Sequence, residues 1–179
     1  FARLIGCDGA HSVVRHKLNI PFPGEAVDRR EGIAAALLHD LVNLPKDSPE
    51  RHLASEESAI EARVHLKEAG FNEGAIERIQ GAIRDHSFSR GATPSGPLAC
   101  ALQDADRLEA LGAIGVFRNI STGTHMNADY FHAADPWAHH RARDDRAYSL
   151  DHFFEKLLHL PNTMRTEAGR REARRRAQV

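Results

Sequence analysis

Several features that define common protein classes are scarce or missing in this 179-residue chain. Its only cysteines, Cys7 and Cys100, are too few for a disulfide scaffold or a cysteine zinc site. No apolar run approaches the roughly 20 residues that span a bilayer. A charged start followed by a long apolar stretch, typical of a signal peptide, is also missing. We therefore expect a cytoplasmic protein with no membrane partner.

The chain also lacks an excess of charge of either sign. It has 24 Lys and Arg residues and 25 Asp and Glu residues, which gives a formal net charge of -1. Such a balance gives no general attraction to nucleic acid. Glu172 lies among the five arginines of segment 170–176, Glu167 precedes them, and no aromatic residue is interleaved for base stacking, so we interpret this segment as a solvated helix face. We expect no nucleic-acid partner.

Apolar residues that recur at helical spacing dominate the sequence. With 41% hydrophobic and 27% charged residues, the chain can bury a core. Helices are predicted over residues 31–42, 55–70 with Ser55 as its cap, 72–86, a segment from Asp135 that contains Trp137, 148–160 with Phe153, Phe154, Leu157 and Leu158 inward, and 166–176. Segment 98–116 is apolar and rich in alanine. No alternating strand pattern follows the first dozen residues, so we predict an all-α fold.

Histidine is abundant, with 12 residues, which directs attention to metal binding because imidazole is the commonest metal ligand. His39 and Asp40 are adjacent near the end of the first predicted helix, where the two side chains can converge on one ion. An imidazole with a carboxylate suits Mn, Fe, Co, Zn or Mg. A third ligand is needed, and the acids of an apolar helix, Asp104 and Asp106, are the candidates. A helix cap with a salt bridge to Arg107 is the structural alternative for these acids.

Four stretches occur in an order that carries a family resemblance. They are ALLHDLVNLPKDSPERHLAS at 36–55, HSFS at 86–89, QDADRLEALGAIGV at 103–116 and SLDHFFEKLLHLPNTMRTEAGR at 149–170. Over about residues 28–179 the chain resembles the HD-domain metal-dependent phosphohydrolases, in particular a small bacterial branch. The resemblance implies an HD-domain helical bundle.

The resemblance also implies site residues. A divalent metal would be held by a histidine of an early helix, by His39 and Asp40, and by a later acid, for which the ADRL match favours Asp106. Asp40 would also act in catalysis. Lys46 is a candidate phosphate contact, its alternative being a solvated lysine. His86 is a candidate orienting group, phosphate donor or helix-end cation.

These parts together indicate hydrolysis of a phosphate ester or anhydride. A metal-activated water would attack the phosphoryl group while nearby cations offset the developing charge. The expected partner is a phosphorylated small molecule, with a nucleotide as one option. The oligomeric state is open.

The first residues differ from the rest. Segment 1–27 includes RLIGCDGAHSVVRHKLNIPFPGE, which resembles the DG motif of FAD-dependent group A monooxygenases through Asp8, Gly9, Ser12 and Arg15. The GxGxxG turn that holds the FAD pyrophosphate is missing. We therefore interpret segment 1–27 as an appendage, a short irregular or strand-containing piece left by a fusion or a frameshift, and keep a flavoprotein fragment as a remote alternative.

This appendage occupies the place of the early helix of the HD domain. Either His11 or His16 reaches the metal, or the site keeps only His39, Asp40 and Asp106. The second case favours an alternative function, a catalytically impaired HD scaffold that binds nucleotides or another partner.

Overall fold

The computed structural model describes residues 27–44, 48–87 and 90–178. These residues form seven α-helices, and the β pairing among them is limited to an isolated bridge between Asp129 and Tyr148. The helices are α1 Arg29–Leu38, α2 Ala54–Glu68, α3 Glu73–Asp85, α4 Gly96–Leu108, α5 Gly112–His125, α6 Ser149–Glu155 and α7 Glu167–Ala177, with 3₁₀ segments at Arg51–Leu53 and Leu157–Thr163. The all-α prediction is confirmed. The appendage, up to residue 26, lies outside the described residues.

The chain divides into two compact units, with the boundary between Gln103 and Asp104 inside α4. In the first unit, α1 and α2 both pack against α3. The core consists of small and medium apolar side chains, namely Ala35, Ala59, Ala62, Leu66, Ile76, Ile79, Ala82, Ile83, Leu98, Ala99 and Leu102. The many alanines let the helix backbones approach closely, which brings the ends of α1 and α3 to one site.

The second unit has a smaller core of its own. Helices α6 and α7 pack on the 3₁₀ segment Leu157–Thr163, and α5 contacts α6 and α7. The buried members are Leu111, Leu157, Leu160, Met164 and Ala173.

Helix starts follow capping rules in three places. The Asp28 carboxylate accepts from the backbone N–H groups of Arg30 and Glu31 at the start of α1. Asn72 caps α3 and Thr166 caps α7 in the same way. Each side-chain oxygen satisfies N–H groups that have no partner within the helix. Gly70, with φ +77°, follows α2 in the left-handed conformation that is typical of a helix stop.

Three local predictions are wrong. Ser55 lies inside α2 and its buried hydroxyl donates to the Arg84 carbonyl instead of capping the helix. No helix contains Trp137, because the Asp135 carboxylate accepts from the N–H groups of His139 and His140 and closes an irregular turn. The predicted helix 148–160 ends at Glu155 and continues as a 3₁₀ segment. This change of pitch leaves Leu158 exposed, not inward.

Asp151 of the second unit is an acid whose ionisation stabilises the fold. It is buried, Arg141 donates to both of its oxygens at 2.5 and 2.8 Å, and the Asp144 N–H donates at 2.8 Å. The hydrogen bonds from Arg141 hold the pKa of Asp151 below its ordinary value of 3.8. Such a group stabilises the fold fully above its unfolded pKa and loses its effect as the pH falls through its folded pKa.

We therefore expect unfolding of the second unit, followed by the fluorescence of Trp137, the only tryptophan, to become easier below about pH 4. In Asp151→Asn the urea midpoint is expected to be lower at neutral pH and to fall less on acidification, because the titrating group is gone. The exposed Asp129→Asn is the control and should behave as wild type. An undiminished acid drop in Asp151→Asn would contradict this assignment.

None of the helices in the described ranges combines the length and apolar character that a bilayer crossing requires.

Candidate metal centre

The His39–Asp40 pair lies at the C-terminal end of α1, with His39 as the C-cap residue. The Nδ1 atom of His39 is 2.9 Å from the carbonyl oxygen of Ala36. A carbonyl oxygen only accepts hydrogen bonds, so Nδ1 carries a proton, and in the neutral imidazole Nε2 keeps its lone pair. The side chain of Asp40 is 67% exposed, whereas that of His39 is 25% exposed.

His86 follows the last residue of α3 and is buried. Its Nδ1 atom is 2.6 Å from the carbonyl oxygen of Ile83. The same argument therefore assigns the proton to Nδ1 and the lone pair to Nε2. This arrangement, in which one ring nitrogen donates to a carbonyl and the other is left free, is typical of histidines that bind metals.

The three side chains converge. One potential ligand atom from each of His39, Asp40 and His86 lies within 4.8 Å of the others. The two imidazole rings meet edge to face with centroids 5.0 Å apart. The Asp40 oxygens are 3.4 Å from Nε2 of His39 and 3.8 Å from Nε2 of His86.

The donor set of this cluster fits a divalent metal. When both imidazoles are neutral and their Nδ1 protons are bonded to carbonyl groups, two imidazole lone pairs and a carboxylate face one another, and none of these atoms is a hydrogen-bond donor. Neighbouring acceptors repel unless a cation lies between them. Two imidazoles with a carboxylate suit Mn, Fe, Co, Zn or Mg, in agreement with the sequence prediction.

The acid next to the cluster is already paired. Arg84 donates to both oxygens of Asp85 at 2.7 Å. These hydrogen bonds lower the pKa of Asp85 and raise that of Arg84. Asp85 is therefore ionised and paired, and among the described residues Asp40 is the carboxylate that lies within reach of both imidazoles.

The remaining predicted site residues are placed as follows. His11, His16 and Lys46 lie outside the described residues, and their roles stay predictions. Asp106 is half-buried on the part of α4 that belongs to the second unit, and its role as a ligand also stays a prediction.

Asp104, the alternative to Asp106, has a structural role in the second unit. Its buried carboxylate accepts from the N–H of Arg165 at 2.7 Å, and from the N–H and the hydroxyl of Thr166 at 2.8 and 2.7 Å. These bonds fix the start of α7. The structural alternative predicted for this pair of acids was a helix cap with a salt bridge to Arg107. The guanidinium of Arg107 donates to the carbonyl of Thr163 and is attracted electrostatically by both Asp104 and Asp106.

Comparison with known proteins identifies the family. Residues 14–111, more than half of the chain, match the HD domain model. The chain therefore belongs to the HD domain family. The matched range begins within segment 1–27, and the domain boundaries at residues 27 and 28 stay a prediction.

Relatives extend the match beyond this range. YpgQ of Bacillus subtilis (strain 168) is 33% identical over 146 residues, which cover 79% of this chain and 63% of that protein. The chain thus spans less than two thirds of the length of this relative. The crystal structure of YpgQ in complex with ADP superposes with a TM-score of 0.62 at 26% identity and covers 92% of this chain and 72% of that one.

A second structural relative is an HD-superfamily hydrolase from Bacillus thuringiensis. It has a TM-score of 0.61 and 30% identity, and the match covers 84% of this chain and 68% of that one. The fold is thus that of the HD-superfamily hydrolases, which supports an enzyme of the hydrolase type.

Proposed function

We propose that this chain is a divalent-metal-dependent phosphohydrolase that acts on a nucleotide or another phosphate ester or anhydride. The observation that carries the proposal is the cluster of His39, Asp40 and His86, whose ligand atoms lie within 4.8 Å of one another. Membership of the HD domain family supports the same reading.

The residues of the cluster have distinct tasks. Nε2 of His39, Nε2 of His86 and a carboxylate oxygen of Asp40 would hold the ion, with Asp106 and His11 as the further ligands that the sequence predicts. When bound, a divalent ion lowers the pKa of a coordinated water and neutralises charge on a phosphoryl group. Lys46 would place a positive charge beside the phosphoryl oxygens.

Burial differs across the cluster in a way that suits this chemistry. The side chain of His86 is 5% exposed and that of Asp40 is 67% exposed. The buried ring is held by packing and by its bond to Ile83, while the carboxylate faces solvent. A phosphorylated substrate would therefore approach from the Asp40 side.

A nucleotide is the substrate we would test first, because YpgQ was crystallised with ADP. The test is phosphate or pyrophosphate release from nucleoside mono-, di- and triphosphates and from simple phosphomonoesters. The full chain is stripped of metal with a chelator and reloaded with Mn²⁺, Co²⁺ or Mg²⁺. We expect release with at least one metal and none in the chelated protein.

Two results would contradict the proposal. If the reloaded chain binds metal and nucleotide but releases no phosphate from any compound, the scaffold is an impaired binding module. If the chelated chain is as active as the reloaded one, the cluster is not the site of metal catalysis.

A further inference from the structure

Buried polar side chains hold the segment that follows the His39–Asp40 pair. The hydroxyl of Ser58, a fully buried residue of α2, accepts from the N–H of Val42 at 3.0 Å and donates to its carbonyl at 3.3 Å. Both backbone polar groups of Val42 are thus satisfied by one side chain. Val42 is two residues beyond Asp40, so α2 fixes the position where the chain leaves the cluster.

A similar arrangement holds the segment that carries His86. The last carbonyl groups of a helix lack partners within it. At the end of α3 three of them accept from side chains: Ile83 from Nδ1 of His86 at 2.6 Å, Arg84 from the hydroxyl of Ser55 at 3.0 Å and Asp85 from Nε2 of Gln103 at 3.2 Å. Ser55, His86 and Gln103 are all buried. Three separate donors therefore fix the end of α3, directly before His86.

Ser55 and Ser58 are three residues apart, so they lie on one face of α2. One rigid helix thus binds both ligand-bearing segments. Burying a hydroxyl or an amide is costly unless it is hydrogen-bonded, and alanine would suit an apolar helix face as well. The buried polar atoms of Ser55, Ser58 and Gln103 form hydrogen bonds with the backbone beside the candidate ligands.

We propose that Ser55, Ser58 and Gln103 are positioning residues that set the separation between His86 and the His39–Asp40 pair. The inference rests on the proposed function in that His39, Asp40 and His86 hold the metal. Groups that orient metal ligands typically change metal affinity by 10- to 100-fold when they are removed. The serines act through the backbone, so we expect the lower end of that range.

The test compares Ser55→Ala and Ser58→Ala with Ile76→Val. The control removes one buried methylene from the first half of α3, ten residues before His86, and removes no polar group, so it reports a general loss of stability. We expect Kd for Co²⁺, measured well below the melting temperature, to rise about tenfold in each serine variant. It should stay within twofold of wild type in Ile76→Val. Ser55→Thr keeps the hydroxyl and should restore the affinity.

A second readout needs no metal. The ¹⁵N chemical shifts of the His86 ring report its tautomer, and in the metal-free wild-type chain we expect a single form with the proton on Nδ1. In Ser55→Ala and Gln103→Ala the end of α3 loses a donor, and we expect a mixture of the two tautomers.

The outcomes separate this inference from the proposed function. If both serine variants keep wild-type affinity for Co²⁺, and Ser55→Ala and Gln103→Ala keep the single His86 tautomer, the positioning role is wrong even if the enzyme is active. If the wild type binds Co²⁺ but releases no phosphate, the proposed function fails, while weakened binding in the serine variants still supports positioning. A wild-type chain that binds no Co²⁺ contradicts both.

Discussion

Asp40→Ala is expected to abolish metal-dependent phosphate release while leaving the fold intact. Asp40 supplies the negative charge of the cluster, and two neutral imidazoles alone hold a divalent ion weakly. We expect the rate of phosphate release to fall on the order of 10³-fold, because the metal-activated water is lost. The side chain is 67% exposed, so its removal leaves no cavity in the core. Steady-state kinetics and thermal melting, with and without metal, measure both effects.

Glu61→Ala is the matched control, since Glu61 is another exposed acid of the first unit, in α2. We expect it to keep wild-type activity. A ligand that binds only the folded state at 100 times its Kd stabilises by about 2.7 kcal/mol. Added metal should therefore raise Tm in wild type and Glu61→Ala but not in Asp40→Ala. Activity in Asp40→Ala within tenfold of wild type would exclude Asp40 as a ligand.

Gly169→Ala is expected to destabilise the second unit although alanine is the better helix former. Gly169 lies in the first turn of α7, and a methyl group there would overlap the Asp104 carboxylate. That carboxylate cannot move away, because it accepts three hydrogen bonds from Arg165 and Thr166. We expect a loss of about 2 kcal/mol, whereas helix propensity alone predicts a gain of about 1 kcal/mol. Urea unfolding followed by Trp137 fluorescence measures the change.

A double-mutant cycle with Asp104→Ala checks the cause. Asp104→Ala alone leaves three donors without their acceptor, and we expect it to cost about 3 kcal/mol. In its background the added methyl group has room, so Gly169→Ala should cost much less than in wild type. Equal costs in both backgrounds would show that the overlap with Asp104 is not the reason. Glu109→Ala, at an exposed acid, should change the stability by less than about 0.5 kcal/mol.

Much of the helical fold follows from local signals, whereas the exceptions depend on particular contacts. Asn72 and Thr166 cap helices at the predicted positions because capping is a local interaction. Asp135 followed by proline is typical of a helix start, but here the carboxylate binds the N–H groups of His139 and His140 and closes a turn. Local composition does not distinguish these two uses of an aspartate.

The kind of site, a divalent metal held by imidazole and carboxylate groups, was easier to predict from the sequence than the full set of residues that form it. His39 and Asp40 were predicted as ligands from their adjacency at a helix end. His86 was selected as a site residue, but its fit as a ligand depends on the bond from its Nδ1 to Ile83, which only the fold defines. The hydrogen bonds of Ser55 and Ser58 to the backbone beside the cluster, on which the proposed positioning role rests, were not predicted from the sequence. The spacing of the two serines on an otherwise apolar helix face was the available signal, although it resembles a capping pattern.

The central claim is that His39, Asp40 and His86 hold one divalent cation. It is tested most directly by the anomalous difference map of a crystal of the full chain grown with Mn²⁺ or Co²⁺. We predict a peak at about 2.0–2.2 Å from Nε2 of both histidines and from a carboxylate oxygen of Asp40. The same map shows whether Asp106 or His11 completes the coordination. A metal peak elsewhere in the chain, with none at these three side chains, would contradict the account.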